Sequence, residues 1–125
     1  MIKIMVVDDE AEICDFVQSF FKERNFEVFT AHNGREALIL VELKNPDIIL
    51  LDMKMPGMDG LQTLRELKKR NYGGKIIMVT AVEEPEKIEE ARVSGAAEYI
   101  TKPLILGQLE KIVIATANEI GSVSS

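Results

Sequence analysis

Residues 46–60 read Pro46-Asp47-Ile48-Ile49-Leu50-Leu51-Asp52-Met53-Lys54-Met55-Pro56-Gly57-Met58-Asp59-Gly60. An apolar run, Ile48–Leu51, stops abruptly at a carboxylate. A run this short, followed by the turn signals Pro56-Gly57 and Asp59-Gly60, reads as a buried strand opening into a loop. A strand apolar at every position has both of its faces covered, as in a parallel sheet between two helical layers. Asp52 therefore stands alone at the end of a buried strand, facing a loop.

The rest of the chain repeats this pattern on both sides. Upstream, residues 2–7 are apolar and β-branched and are cut off by Asp8-Asp9-Glu10. Ile13, Phe16, Val17, Phe20 and Phe21 then recur at helical spacing, and Asn25 closes that helix. Residues 26–30 form a second short strand and Asn33-Gly34 a turn. Ala37, Leu38, Val41 and Leu43 suggest a helix, which Pro46 ends because proline cannot continue the hydrogen-bond ladder.

Downstream, Leu61, Leu64 and Leu67 mark a third helix. It closes on Lys68, Lys69 and Arg70, which suit the negative end of a helix dipole. Gly73-Gly74 precedes a strand over 75–79. A fourth helix runs over 85–94, with proline in its first turn and Gly95 just past its end. A fifth strand covers 97–101, and a last helix carries Leu106, Leu109, Ile112, Val113 and Ile120. Residues 1–120 thus read as one domain and 121–125 as a flexible C-terminal tail. Strands alternating with helices imply an α/β fold: a doubly wound, five-stranded parallel sheet with five helices and right-handed crossovers.

The bulk composition narrows the function. The chain of 125 residues fits one domain, and its net charge is −6. An acidic surface repels phosphate backbones and anionic lipid, so no direct nucleic-acid binding and no membrane association are expected. One cysteine excludes an internal disulfide and a cysteine metal cluster. A single lysine and a short apolar run ending at Asp8 do not make a signal peptide, and no apolar run approaches a membrane span. A cytoplasmic protein is expected.

In open α/β sheets, sites form beyond the carboxyl ends of the strands. Strand 1 ends in Asp8-Asp9, strand 3 in Asp52, strand 4 in Thr80 and strand 5 in Lys102-Pro103. Each has an ordinary explanation alone. Asp8 to Glu10 can cap a helix, and Asp52 and Pro103 can form turns. Thr80 can be a loop hydroxyl, and Lys102 a solvated charge. Together they bring polar groups from four strands to one rim. Converging carboxylates repel unless they hold a divalent cation. With hard oxygen donors and no histidine or cysteine set, the chemistry suits magnesium. One carboxylate can then act as a nucleophile and become an aspartyl phosphate. Asp52 is the best candidate. Lys102 and magnesium would supply positive charge, and Thr80 a hydroxyl donor, for a transfer that needs mainly positioning and charge neutralisation.

These motifs resemble the receiver domain of two-component response regulators over essentially the whole chain. The 46–60 segment resembles that family's phosphorylation segment, and Asp8-Asp9-Glu10, Thr80-Ala81 and Tyr99-Ile100-Thr101-Lys102-Pro103 match its other motifs in order and spacing. The resemblance implies a flavodoxin-like fold with strand order 2-1-3-4-5 and a cis peptide before Pro103. It implies that Asp9 and Asp52 ligate magnesium directly, Asp8 mostly through water, and the backbone carbonyl of Lys54 completes the protein ligands. Lys54, Ala81, Val82 and Pro103 would flank the phosphate. The donor would be a phosphohistidine on a histidine kinase or histidine phosphotransfer protein. The chain would catalyse only its own phosphorylation and dephosphorylation. Thr80 and Tyr99 would form a switch that reshapes the face made by the fourth helix, fifth strand and fifth helix. That face would control an effector protein or a homodimer.

Some residues depart from the pattern or lie outside it. Ile105 stands where many receivers have an acidic helix cap, and Gly107 enters the first turn of the last helix, weakening its start. That helix carries surplus apolar residues, with Ile112 and Ile114 the candidates for exposure. Cys14 is expected beside the main apolar stripe of the first helix, near the rim, as a structural or partly exposed thiol. His32 is expected to be solvated, and Met53, Met55 and Met58 to fill gaps in the packing. Two rival functions remain in view. One is a receiver-like interaction module that works without phosphorylation. The other is a small magnesium-dependent phosphohydrolase, for which the short loops offer little pocket or lid.

Overall fold

The computed structural model describes residues 1–124, with side chains through Ile120. The expected tail at 121–125 lies outside the described side chains. The elements alternate without exception: β1 (Lys3–Val7), α1 (Ala11–Lys22), β2 (Glu27–Ala31), α2 (Gly34–Lys44), β3 (Ile48–Leu51), α3 (Gly60–Lys69), β4 (Lys75–Thr80), α4 (Pro85–Val93), β5 (Glu98–Thr101) and α5 (Leu106–Ser124). The strands form one parallel sheet in the order β2-β1-β3-β4-β5. Both the fold class and the strand order expected from the sequence hold.

Side-chain alternation along each strand divides the core in two. Ile4, Val6, Ile48, Leu50, Ile77 and Val79 face α1 and α5, where Val17, Phe21, Leu109 and Val113 meet them. Met5, Val7, Ile49, Leu51, Ile76 and Met78 face the other way, against Leu38, Leu61, Leu64, Leu67 and Ala91 from α2, α3 and α4. Every residue of β1 after Lys3, and every residue of β3, is buried, as their unbroken apolar runs require.

The first four helices end in the same way. Asn25, Asn45, Asn71 and Gly95 follow α1, α2, α3 and α4, and each has positive φ, in the left-handed region for the three asparagines. After α1, the amides of Asn25 and Phe26 reach back to the carbonyls of Lys22 and Phe21. After α3, those of Asn71 and Tyr72 reach Lys68 and Leu67. This pairing satisfies carbonyls that the last turn would leave without partners. The end of α2 thus belongs to Asn45 as much as to Pro46, because the Asn45 amide bonds to the Val41 carbonyl.

Two residues read as core are not. Phe16 on α1 and Leu43 on α2 are exposed, at 54% and 71%. A helical face can hold only one stripe against the sheet, and α1 fills its own with Cys14, Val17 and Phe21. On α5, Ile112 packs against the α1/α5 core and only Ile114 is exposed, which corrects the pairing of the two as surface candidates. Among the described residues no helix is long and apolar enough to cross a membrane.

Candidate functional site

The rim residues are held by an extension of the sheet itself. In a parallel ladder, the residue following a strand can still donate its amide to the neighbouring strand. The Asp8 amide donates to the Ala31 carbonyl at 3.1 Å, Asp52 to Val7 at 3.0 Å, and Lys102 to Thr80 at 2.8 Å. These three side chains thus hang from a backbone fixed by one bond beyond the strand proper, while Thr80 is the last residue of β4 itself.

Lys102 joins them. Its Nζ lies 2.9 Å from Asp8 Oδ2 and 3.3 Å from Asp52 Oδ2, with Glu10 Oε1 farther off at 4.0 Å. Asp8 and Asp52 are both buried, so one ammonium sits between two carboxylates that have little water of their own. Burial alone would drive the lysine toward its neutral form. The hydrogen bond to Asp8 and the charges of Asp52 and Asp8 more than offset this, and its pKa stands above the ordinary lysine value. The Lys102-Pro103 peptide is cis.

The remaining contacts fix orientations. Asp8 Oδ1 accepts from the Glu10 amide at 2.9 Å, and Asp52 Oδ1 faces the Lys54 amide at 3.4 Å. The Asp8, Asp9 and Glu10 carboxylates have oxygens within 4.8 Å of one another, a spacing that a small hard cation could bridge. Asp9 and Glu10 are exposed, while Asp8 is buried. Asp52 is not part of that trio; Lys102 holds it instead. The sequence places Glu10 in a capping run and in the family motif but assigns it no ligand role, and the geometry adds it to the acidic cluster. A signal existed, since three consecutive acids leave a strand end on one tight turn.

Val82 connects the next two residues. Its amide donates to Thr80 Oγ1 at 3.3 Å, and its carbonyl accepts from the Tyr99 hydroxyl at 2.7 Å. Tyr99 is already docked on this loop. Burial, then the negative charges of Asp52 and Glu84, raise the Tyr99 pKa, so the phenol remains a donor. Ala81 and Lys54 are exposed, and Val82 is buried. Beside Asp9 a groove of about 490 Å³ is lined by Met53, Lys54, Met55, Val82 and Lys87. Met53 and Met55 are buried in the core layer beneath it, in the gap-filling role expected.

Cys14 lies just under this rim and is fully buried, with its thiol donating to the Asp8 carbonyl at 3.3 Å. Burial, and next the Asp8 charge, push its pKa up to about 11, which keeps it a thiol. His32 is exposed, 3.6 Å from Glu36, and takes no part in the rim.

The model of the response regulator receiver domain matches residues 4–114. The chain belongs to the response regulator receiver domain family. As a receiver domain it serves phosphoryl-accepting signalling in two-component systems. It is 35% identical over 111 residues to sporulation initiation phosphotransferase F of Bacillus subtilis (strain 168), covering 89% of this chain and 90% of that protein. It is 38% identical over 111 residues to the regulatory protein AtoC of Escherichia coli (strain K12), covering 89% of this chain but only 24% of that longer protein. Among solved structures, the receiver domain of the Francisella response regulator 1452 superposes with a TM-score of 0.90 at 32% identity, covering 96% of this receiver and 99% of that chain.

Proposed function

We propose that Asp52 accepts a phosphoryl group from a phosphohistidine on a histidine kinase or histidine phosphotransfer protein. The observation that carries this reading is the bridge of Lys102 between Asp8 and Asp52 at the end of a buried sheet. An Asp52 carboxylate oxygen attacks phosphorus, a P–O bond forms, the P–N bond breaks, and the departing imidazole takes up a proton. Little covalent help is needed in a loose transition state, so placement and positive charge decide the rate. Lys102 offers its ammonium to the phosphoryl oxygens, and the Thr80 hydroxyl turns from the Val82 amide to donate to one of them.

The donor set fits magnesium, because Asp8, Asp9 and Glu10 offer clustered hard oxygens and no softer ligand is near. Asp8, Asp9, Asp52 and the Lys54 carbonyl would hold the ion, whose charge would further neutralise the transferred group.

The switch follows from Val82. When Thr80 leaves the Val82 amide, the loop carrying that residue is freed on one side while Tyr99 still holds its carbonyl. Tyr99 on β5 then moves with the loop and alters the α4/β5/α5 face, where Ile114 and Val93 are exposed. This is a population shift, and a few kcal/mol of preference (roughly) suffices to make it decisive. The face would engage an effector protein or a second copy.

The test is incubation with acetyl phosphate and magnesium, followed by intact-mass measurement. One labile phosphate adduct is expected, absent in Asp52→Asn and in Asp9→Ala, with Asp9→Ala folded because its side chain is exposed. A chain that gains no adduct would be an interaction module independent of phosphorylation. Continuous turnover of phosphate esters would make it a phosphohydrolase. A normal adduct in Asp52→Asn would refute the assignment of the acceptor.

A further inference from the structure

The peptide that carries the acceptor is pressed by a residue to which no chemistry has yet been attached. Gly60 is the first residue of α3, and its amide donates to the Met53 carbonyl at 2.8 Å. A Cβ at this position would lie 2.0 Å from the Asp52 carbonyl oxygen, 2.6 Å from Met53 Cα and 2.8 Å from the Asp52 carbonyl carbon. All three are backbone atoms, which cannot swing aside as a side-chain tip can. The φ of Gly60 is not in the left-handed region, so backbone freedom is not what requires glycine here. On helix propensity alone, alanine would be the better residue. What glycine provides is room for close approach.

We propose that Gly60 is a positioning residue for phosphoryl transfer: its missing side chain lets the first turn of α3 seat on the Asp52–Met53 peptide and so aims the Asp52 carboxylate. The proposal rests on reading Asp52 as the acceptor. From the sheet side, Asp52 is fixed by the hydrogen bond its backbone amide donates to the Val7 carbonyl. Its carboxylate contacts are long, 3.4 Å to the Lys54 amide and 3.3 Å to Lys102, and leave its direction loosely set. The peptide that follows Asp52 meets α3 at Gly60. A methyl group there pushes the Asp52 carbonyl outward, tilts the Cα–Cβ direction, and displaces Met53 and Lys54 with it. In-line transfer is sensitive to such shifts, and a misplacement of about 1 Å can cost about a hundredfold in rate.

Gly74 supplies a matched control. A Cβ there would meet the Tyr72 hydroxyl at 2.1 Å and the Asp47 carbonyl oxygen at 2.7 Å, just before β4 and thus at the opposite end of the sheet from Asp52. Phosphoryl uptake from saturating acetyl phosphate with magnesium is measured by intact mass for the parent, Gly60→Ala and Gly74→Ala. Thermal melting and the amide resonances of Met53 and Lys54 are recorded for each. Gly60→Ala is expected to take up phosphoryl about a hundredfold more slowly, with the Met53 and Lys54 resonances displaced. Gly74→Ala should match the parent rate while losing thermal stability. Parent-like uptake by Gly60→Ala, or an equal loss in Gly74→Ala, overturns the proposal. Should Gly60→Ala not fold, Asp59→Ala replaces it. That change removes the cap that accepts from the Gln62 amide at 2.8 Å and loosens the first turn without adding an atom near Asp52. Slower uptake is expected, and a parent-like rate overturns the proposal. A parent chain that gains no phosphate overturns the acceptor assignment, and this proposal with it.

Discussion

Replacing Lys102 with methionine keeps most of the side-chain volume and removes the one charge that two buried carboxylates share. Lys102 Nζ lies 2.9 Å from Asp8 and 3.3 Å from Asp52, and the two carboxyl side chains are only 4% and 7% exposed. Removing one partner from a buried ion pair costs about 3–5 kcal/mol, because the other charge is left without compensation. Here two charges are left. They also repel each other by about 3 kcal/mol, taking a separation of roughly 6 Å and an effective dielectric of about 20. Lys102→Met is therefore expected to lose at least about 3–5 kcal/mol at pH 7 without metal, a large part of a typical domain's stability. Asp52→Asn alone leaves the shorter Asp8–Lys102 pair intact and relieves the repulsion of about 3 kcal/mol between Asp8 and Asp52, so it should destabilise, but by much less than Lys102→Met. The sharp expectation is a reversal of sign. In the Lys102→Met background, Asp52→Asn removes a repulsion and should stabilise by about 2–3 kcal/mol. Urea unfolding followed by far-ultraviolet circular dichroism, on all four members of the cycle, measures this. A Lys102→Met loss under about 1 kcal/mol, or Asp52→Asn destabilising in both backgrounds, would show that Lys102 does not compensate these charges.

Three further outcomes are expected. The phosphoryl group should persist for minutes or longer rather than seconds, because Lys54 offers only donors and Val82 no polar side-chain atom to orient an attacking water; phosphate release from purified phosphoprotein checks it, and Lys54→Asn should shorten the lifetime. Since Cys14 is pushed from 9.0 to about 11, its neutral thiol contributes stability that is complete below its ordinary pKa and lost as pH rises through 11. Between those values the parent should lose about 2–3 kcal/mol more than Cys14→Ala, read from urea midpoints against pH, and parallel profiles would contradict it. Ile114→Lys should abolish any phosphorylation-dependent association without loss of folding, since Ile114 is 43% exposed; light scattering with and without a phosphoryl mimic decides, and unchanged association would move the contact elsewhere.

Much of this architecture was legible because strands buried on both faces leave an unbroken apolar signature. Ile48–Leu51 ending at Asp52 located both the sheet and its rim. The rim residues followed from where the other strands stop. Helix faces were harder to assign, since the period allows a neighbouring residue such as Phe16 or Ile112 to be placed on the wrong side of the stripe. Distances across the site were not legible at all. Nothing in the chain order shows that Lys102 bridges Asp8 and Asp52, or that Val82 holds Thr80 and Tyr99 together. The same is true of Gly60. In sequence it is one more turn glycine, and only the approach of α3 to Asp52 gives it another role.

The asparagines that end α1, α2 and α3 bear on how this domain tolerates change. Asn25, Asn45 and Asn71 turn the chain just before β2, β3 and β4, so all three lie at the end of the sheet remote from Asp52. The helix-to-strand reversals occupy one pole of the molecule, and the strand-to-helix reversals share the other with the reactive side chains. Insertions, grafted loops or rigidifying substitutions at the helix-to-strand pole can therefore alter the durability of the fold without touching the reactive pole. A receiver built this way can be fused, tethered or reinforced at one end while its signal chemistry stays constant at the other.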